Sequence, residues 1–310
     1  MLVKAVAPYN YTDILNFKTY AYKSWEKIGG AVARPHYPNR LLHSIFFRHS
    51  FPQLWNSKKE ARLRFVSGHS ICFDTFPDYL YYEIIPIVWD CWPSEIEKVS
   101  SFCNKYRVKT IFFTSSQMTD LFHEMFPNMN VFHITEGIDL DLFFKGEELE
   151  KREIDVLEIG RKNGIFFKSP LPDKLNHIKT GNFNRVFKSD IDYRMALANT
   201  KVTINVPRCD VDKKRAGNIE TLTQRYWECM MSRVVMVGRA PGELIELIGY
   251  NPVIDWDGKD AASLVLDILQ NVRDYQKIVD HNYETALKMA SWDIRMRKIK
   301  DILSDKGYIV

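Results

Sequence analysis

The chain has 310 residues, 45% of them hydrophobic and 26% charged, with a formal net charge of +4. That length predicts two domains of about 150 residues, and that balance is ordinary for a soluble globular protein. No apolar run reaches transmembrane length, the start is too short and too soon polar for a signal peptide, and the charge is too mild to name a partner.

The opening Met-Leu-Val-Lys-Ala-Val-Ala reads as a first buried strand. Thr12 and Asp13 then cap a helix with an apolar face of Ile14, Phe17, Ala21 and Trp25, which Gly29-Gly30 ends. Residues 34–64 hold Arg34, His36, Arg40, His43, Arg48, His49, Lys58, Lys59, Arg62 and Arg64 between aromatic and aliphatic residues. Three readings of this segment are open: a nucleic-acid surface built on stacking and phosphate contact, an anionic-membrane surface, or a core helix with a solvated basic face.

Short apolar runs follow at 65–66, 71–73, 84–89 and 110–113, with a helix between them over 93–106. This alternation predicts an α/β architecture. Asp90 follows one such strand, at the end where open α/β sheets bind ligands; it either orients or deprotonates a hydroxyl, or caps the helix near Pro93. Thr114-Ser-Ser116 ends the next strand. Residues 144–153, charged and weakly periodic, read as the interdomain linker. The five cysteines (Cys72, Cys91, Cys103, Cys209, Cys229) are odd in number, scattered and without a Cys-x-x-Cys. Neither a disulfide framework nor a zinc site is expected, and a reducing cytoplasm fits.

The second half repeats the alternation: a strand at 156–159 before Gly160-Arg161-Lys162, a helix from Ser189 to Ala198, and a strand at 202–206. Glu220-Thr-Leu-Thr-Gln-Arg-Tyr-Trp-Glu228 comes next, followed by the apolar strand 234–237. Thr221 or Thr223 caps a helix striped by Leu222, Tyr226, Trp227 and Met230. Glu220 then sits on the loop before it and Glu228 about two turns along, with the first-turn N–H groups forming an anion site between them. A helical tail runs from Asp260 past Trp292 to Leu303. Four Asp-x-Asp pairs (139/141, 190/192, 210/212, 255/257) read as chance in an Asp-rich chain, the second as a helix start. There is no His-Glu-x-x-His, Walker loop or Gly-x-Gly-x-x-Gly.

The stretch 220–238 resembles the Glu-x7-Glu signature of retaining glycosyltransferases of the GT-B fold, especially family 4 and its capsule and spore-coat relatives. Three further elements stand in the family's order, covering together about half the chain. They are the Gly238…Pro241-Gly-Glu243 turn, the strand–Gly160–Arg161 element, and the Glu136-Gly137-Ile-Asp139…Phe143 turn. The chain departs from the pattern where many members have Gly at Ser232 or Arg233, and where Glu136 replaces Asn.

The resemblance implies a GT-B fold of two Rossmann-like domains facing a cleft: an acceptor domain over 1–145, a nucleotide-sugar domain over 146–290, and a helix over 291–310 crossing back, marked by Trp292. It implies that Glu220 holds the donor sugar and Glu228 the ribose. Arg161, with Lys162 or Lys168 and the helix start at Leu222 and Thr223, stabilises the leaving diphosphate without a metal. Ser116 resembles a serine beside the cleft, and Asp90 stands where similar enzymes carry a His near the reacting carbon. The expected partners are a nucleotide-sugar donor and a glycan or lipid-linked acceptor, with no cofactor and no nucleic acid. A basic, aromatic N-terminal segment in such enzymes favours peripheral membrane contact through 34–64. The alternative is a non-catalytic protein on the same scaffold that binds a sugar nucleotide or a polyanion.

Overall fold

A computed structural model describes residues 1–8, 17–34, 40–48, 52–54, 57, 59–160, 166–181 and 186–310. The caps expected at Thr12 and Asp13, and the residues Ile14, His36, His49 and Lys58, lie outside them.

Two all-parallel sheets carry the fold. In the first, β1 (Leu2–Val6), β2 (Val32–Ala33), β3 (Glu60–Ser67), β4 (Glu83–Trp89), β5 (Thr110–Phe113) and β6 (Asn130–His133) lie in the order β2-β1-β3-β4-β5-β6. In the second, β7 (Ile154–Ile159), β8 (His177–Thr180), β9 (Thr200–Asn205), β10 (Val235–Gly238) and β11 (Ile254–Asp255) lie in the order β11-β10-β9-β7-β8. Parallel strands require crossovers, and the helices between strands supply them, covering both faces of each sheet.

Strand β4 shows why its sequence is almost wholly apolar. All seven of its residues are buried. Ile85, Ile87 and Trp89 join the core on one face, and Ile84 and Val88 join the core on the other. Pro86 is tolerated because it pairs with Arg64 of β3 one residue before the pairing with β5 begins at Ile87.

The final helix, Trp292–Asp305, packs on the first sheet. Trp292, Met296, Ile299 and Leu303 recur at helical spacing and lie against Leu63, Phe65, Ile87 and Trp89. Each of those four is at most 1% exposed, so each burial contributes about 1.5–3 kcal/mol. The helix therefore crosses back as the sequence implied. The two passages between sheets run side by side. Ile138 N–H donates to Ala290 O at 2.8 Å, and Trp292 N–H donates to Ile138 O at 3.0 Å. At Gly137 a Cβ would come within 2.9 Å of the Ala290 carbonyl, so the close approach requires glycine.

Residues 144–153 are not a free tether. Leu149 is fully buried with Val156 and Val202 of the second sheet, and Arg152 donates from Nη1 to Thr200 O at 2.7 Å.

The basic segment also divides differently from its sequence appearance. Arg62 and Arg64 are buried on β3, Arg62 over the Tyr82 ring and Arg64 against Asp78 at 2.8 Å. They belong to the interior, because a strand buried on both faces takes its alternate residues inward as well. The helix Arg40–Arg48 keeps Leu41, Leu42 and Ile45 exposed. Among the described residues no helix is long and apolar enough to cross a membrane.

Candidate functional site

The loop after β5 meets the loops after β9 and β10 at a seam between the two sheets, through Ser115 and Glu220 and through Ser116 and Glu243. The helix Gln224–Met231 points into this seam, starting later than the sequence suggested, so that Glu228 lies about one turn inside it. Thr223 occupies the N-cap position, but its side chain makes no capping hydrogen bond. Glu136 does this work instead. Its Oε2 accepts from Gln224 N–H at 3.1 Å, while its backbone carbonyl accepts from Trp227 Nε1 at 3.1 Å. Burial pushes the Glu136 carboxyl well above its ordinary range, and nearby Asp90, Glu228 and Glu243 push it the same way.

Leu222 N–H donates to Glu243 Oε2 at 2.9 Å, and Glu243 Oε1 accepts from both Ser116 N–H and Ser116 Oγ at 2.6 Å. One carboxylate thus joins the start of the helix Ser116–Met125 in the first domain to the loop before the 224–231 helix in the second. Anions belong at helix starts, where N–H groups lack intrahelical acceptors. Ser115 Oγ donates to Glu220 O at 3.1 Å, and Glu220 N–H donates to Gln117 Oε1 at 2.6 Å.

The Glu220 carboxylate faces the second domain. Its Oε1 pairs with Arg239 Nη1, and its Oε2 accepts from Gly242 N–H at 3.0 Å. Arg239 also binds Asp210 through two contacts of 2.8 Å, and these carboxylates raise the pKa of its guanidinium further. Glycine at 238 lets β10 turn out here. It has φ +141, and a Cβ would overlap the carbonyl oxygen of Asn205.

Glu228 is 6% exposed and accepts from Tyr193 OH at 2.7 Å. Burial raises its pKa, opposed by that hydrogen bond and by the charges of Arg225 and Arg194. It lines a narrow pocket between the domains, together with Phe17, Tyr20, Asp139, Arg194 and Gln224. The same pocket holds a bridge between domains: Tyr20 OH donates to Asp190 at 3.0 Å and accepts from Arg194 Nη2 at 2.8 Å. Arg225 Nη1 donates to Ile159 O at 2.6 Å, at the end of β7.

Asp90 sits at the end of β4 in the left-handed region, φ +49, a conformation that Asp tolerates better than most residues. It does not cap the turn at Pro93, whose N-cap position is Trp92. Lys168 is exposed, and its N–H donates to Asp260 at the start of the helix Ala261–Gln270. Arg161 and Lys162 lie outside the described residues.

The structure therefore gathers Glu220, Leu222, Thr223, Glu228, Ser116 and Asp90 around one seam. It adds Glu136, Glu243, Tyr193, Arg194, Arg225 and Arg239, to which the sequence reading gave no role in the site. Glu136 was visible only as a departure from the family's Asn. Tyr193 and Arg194 lie on a helix whose Ser189 cap was legible, but nothing in one sequence aims that helix at Glu228.

No protein-family model matches the chain, and no curated protein matches it by sequence. Solved structures do match. Anabaena Alr3699/HepE in complex with UDP-glucose superposes with a TM-score of 0.62 at 9% identity, covering 98% of this chain and 100% of that one. Sucrose-phosphate synthase from Thermosynechococcus elongatus gives 0.58 at 10% identity, covering 99% of each. TarM gives 0.53 at 10% identity, covering 84% of this chain and 57% of that one. The chain has the GT-B fold, with both sheets and the returning helix included.

Proposed function

We propose that the protein is a glycosyltransferase that takes a sugar from a nucleotide-sugar donor. The observation that carries this is the place of Glu228, in a pocket between two domains that match a UDP-glucose-bound Anabaena protein over its whole length. In this reading Glu228 binds the ribose hydroxyls and Glu220 the donor sugar. Arg161, with Lys162 or Lys168, faces the diphosphate, and Leu222 and Thr223 offer it their N–H groups. Because Glu243 holds the Leu222 N–H and Glu136 the Gln224 N–H, a bound diphosphate shares or displaces these carboxylates. Glu136, whose carboxyl burial pushes toward its neutral form, repels phosphate less than Glu243 and is the easier one to displace. Ser116 fastens the first domain to this loop, and Asp90 orients the acceptor hydroxyl.

Transfer proceeds with retention and without a metal, to a glycan or lipid-linked acceptor of surface polysaccharide or glycoconjugate synthesis, in the cytoplasm. Exposed Leu41, Leu42 and Ile45 on the helix Arg40–Arg48 give segment 34–64, apart from its buried end on β3, a peripheral contact with an anionic membrane. One observation favours a second reading, a sugar-nucleotide-binding protein without turnover: the Glu220 carboxylate is engaged by Arg239 and Gly242 rather than turned to the narrow pocket.

A thermal-shift screen against UDP-, GDP-, ADP- and CMP-sugars tests the proposal. Stabilisation by donors of one base class is expected. No stabilisation by any of them removes both readings.

A further inference from the structure

A second cavity, of about 540 Å³, lies beside the passages between the domains. It shares no lining residue with the narrow pocket of Glu228. Its size falls in the range of small-molecule sites. Three cations line it: Arg295 and Lys298 from the last helix, and Lys288 from the end of the helix Gln276–Met289.

Arg295 is the unusual member. It is only 5% exposed, yet its three hydrogen-bonded partners are all neutral: the carbonyls of Met289 and Ser291, and Thr135 Oγ1. Its Nε is buried without a hydrogen-bond partner among the described residues. A buried guanidinium with no carboxylate is costly, and an anion beside it offsets that cost. Burial alone depresses its pKa, to about 10.

The acidic residues of the lining do not fill that need. Glu243 is already engaged by Ser116 and Leu222, and Glu246 is exposed on the helix Gly242–Ile248. His133 Nε2 stands 3.6 Å from Glu243, and burial, opposed by the Glu243 charge, lowers its pKa on balance, so it adds no firm positive charge. Lys288 and Lys298 are exposed at the mouth. Leu247, Met289 and Ile294 give the remaining wall an apolar character.

We propose that this cavity is a binding site for a small phosphorylated molecule, with the phosphate against Arg295, Lys288 and Lys298 and an apolar or sugar portion against the wall. Ser116 and Glu243 line this cavity as well as tying the donor loop, but Arg295, Lys288 and Lys298, which define the site, have no part in the transferase reading, so the site does not depend on it.

Calorimetry on the full chain with inorganic phosphate, inorganic pyrophosphate and glucose 1-phosphate tests it, comparing the parent with Lys288→Ala/Lys298→Ala. Both lysines are exposed, so the double variant folds; Arg295 is left intact because it ties Thr135 to the passage at 289–291. Saturable binding by at least one probe, weakened about tenfold or more in the double variant, is expected. Tighter binding of glucose 1-phosphate than of the inorganic anions identifies a phosphorylated sugar as the ligand, and equal binding identifies free phosphate. Absence of binding at millimolar concentration, or equal affinity in parent and double variant, overturns the proposal.

Discussion

Glu136 caps the helix that carries Glu228, its Oε2 accepting the Gln224 N–H at 3.1 Å. A carboxyl from the end of the first domain thereby fills the anion site that the helix start would otherwise offer. Burial raises its pKa, and the charges of Asp90, Glu228 and Glu243 add to that against the Gln224 hydrogen bond, which shifts the group toward its neutral form in the fold.

Glu136→Gln tests that state. A carboxyl whose folded pKa is raised stabilises fully below its unfolded pKa, and that contribution is lost as pH rises through the folded pKa. The parent should therefore lose stability from the ordinary carboxyl range upward, with buried Glu228 adding to the loss. The amide variant, which still accepts from Gln224, should show a shallower decline of Tm with pH and no loss at neutral pH. An unchanged slope with a lower Tm throughout would mean that Glu136 caps the helix as an anion.

Arg233 stands just past that helix in the left-handed region, φ +53, a conformation that glycine adopts without strain. Its guanidinium is held by Asp280 at 2.6 Å and by Glu148 at 3.1 Å. Arg233→Ala loses these contacts and keeps the strained backbone, whereas Arg233→Gly loses the contacts and relieves the strain. Denaturant unfolding should find the Gly variant more stable than the Ala variant by ~1 kcal/mol. Equal stability would place no strain at this position.

Much of the architecture was legible in the sequence, and for definite reasons. Continuous apolar runs such as 84–89 announce parallel strands buried on both faces, and Trp292, Met296, Ile299 and Leu303 announce a helix with one buried stripe. The returning helix followed from the resemblance, and the whole-chain superposition shows it. The site was legible only in part, because its contacts join residues far apart in the chain. Ser116 and Glu243 are 127 positions apart, and Glu136 and Gln224 are 88 apart. Arg62 and Arg64 misled for a related reason: their carboxylate and aromatic partners, Asp78 and Tyr82, lie on a separate turn that no local pattern ties to them.

Turnover should persist in EDTA. In the proposed reaction the departing diphosphate is neutralised by Arg161, a lysine and backbone N–H groups. Three of the Asp-x-Asp pairs have a member engaged elsewhere, Asp190 with Tyr20, Asp210 with Arg239 and Asp257 with Lys259. Activity lost on chelation and restored by manganese would assign the chemistry to a metal.

Glu220→Gln should lower turnover of the donor about a hundredfold while changing donor affinity only a few-fold. In the proposed reaction its charge, once released from Arg239 and Gly242, faces a sugar that grows positive as the glycosidic bond breaks, so its effect falls on the rate. The change also weakens the pair with Arg239, so Arg239→Lys serves as a companion: it keeps a cation there and should retain more activity. NMR of the first-formed product should show the donor's anomeric configuration. An unimpaired Gln variant would support binding without turnover.

The most direct measurement is calorimetry of the parent and Glu228→Ala with the nucleotide sugar that the thermal-shift screen selects. Loss of a charged hydrogen-bond pair to the ribose removes ~1.5–3 kcal/mol, so affinity should fall about ten- to one-hundred-fold with the fold intact by circular dichroism. Equal affinity in the two proteins would take Glu228 out of the donor site and contradict the account.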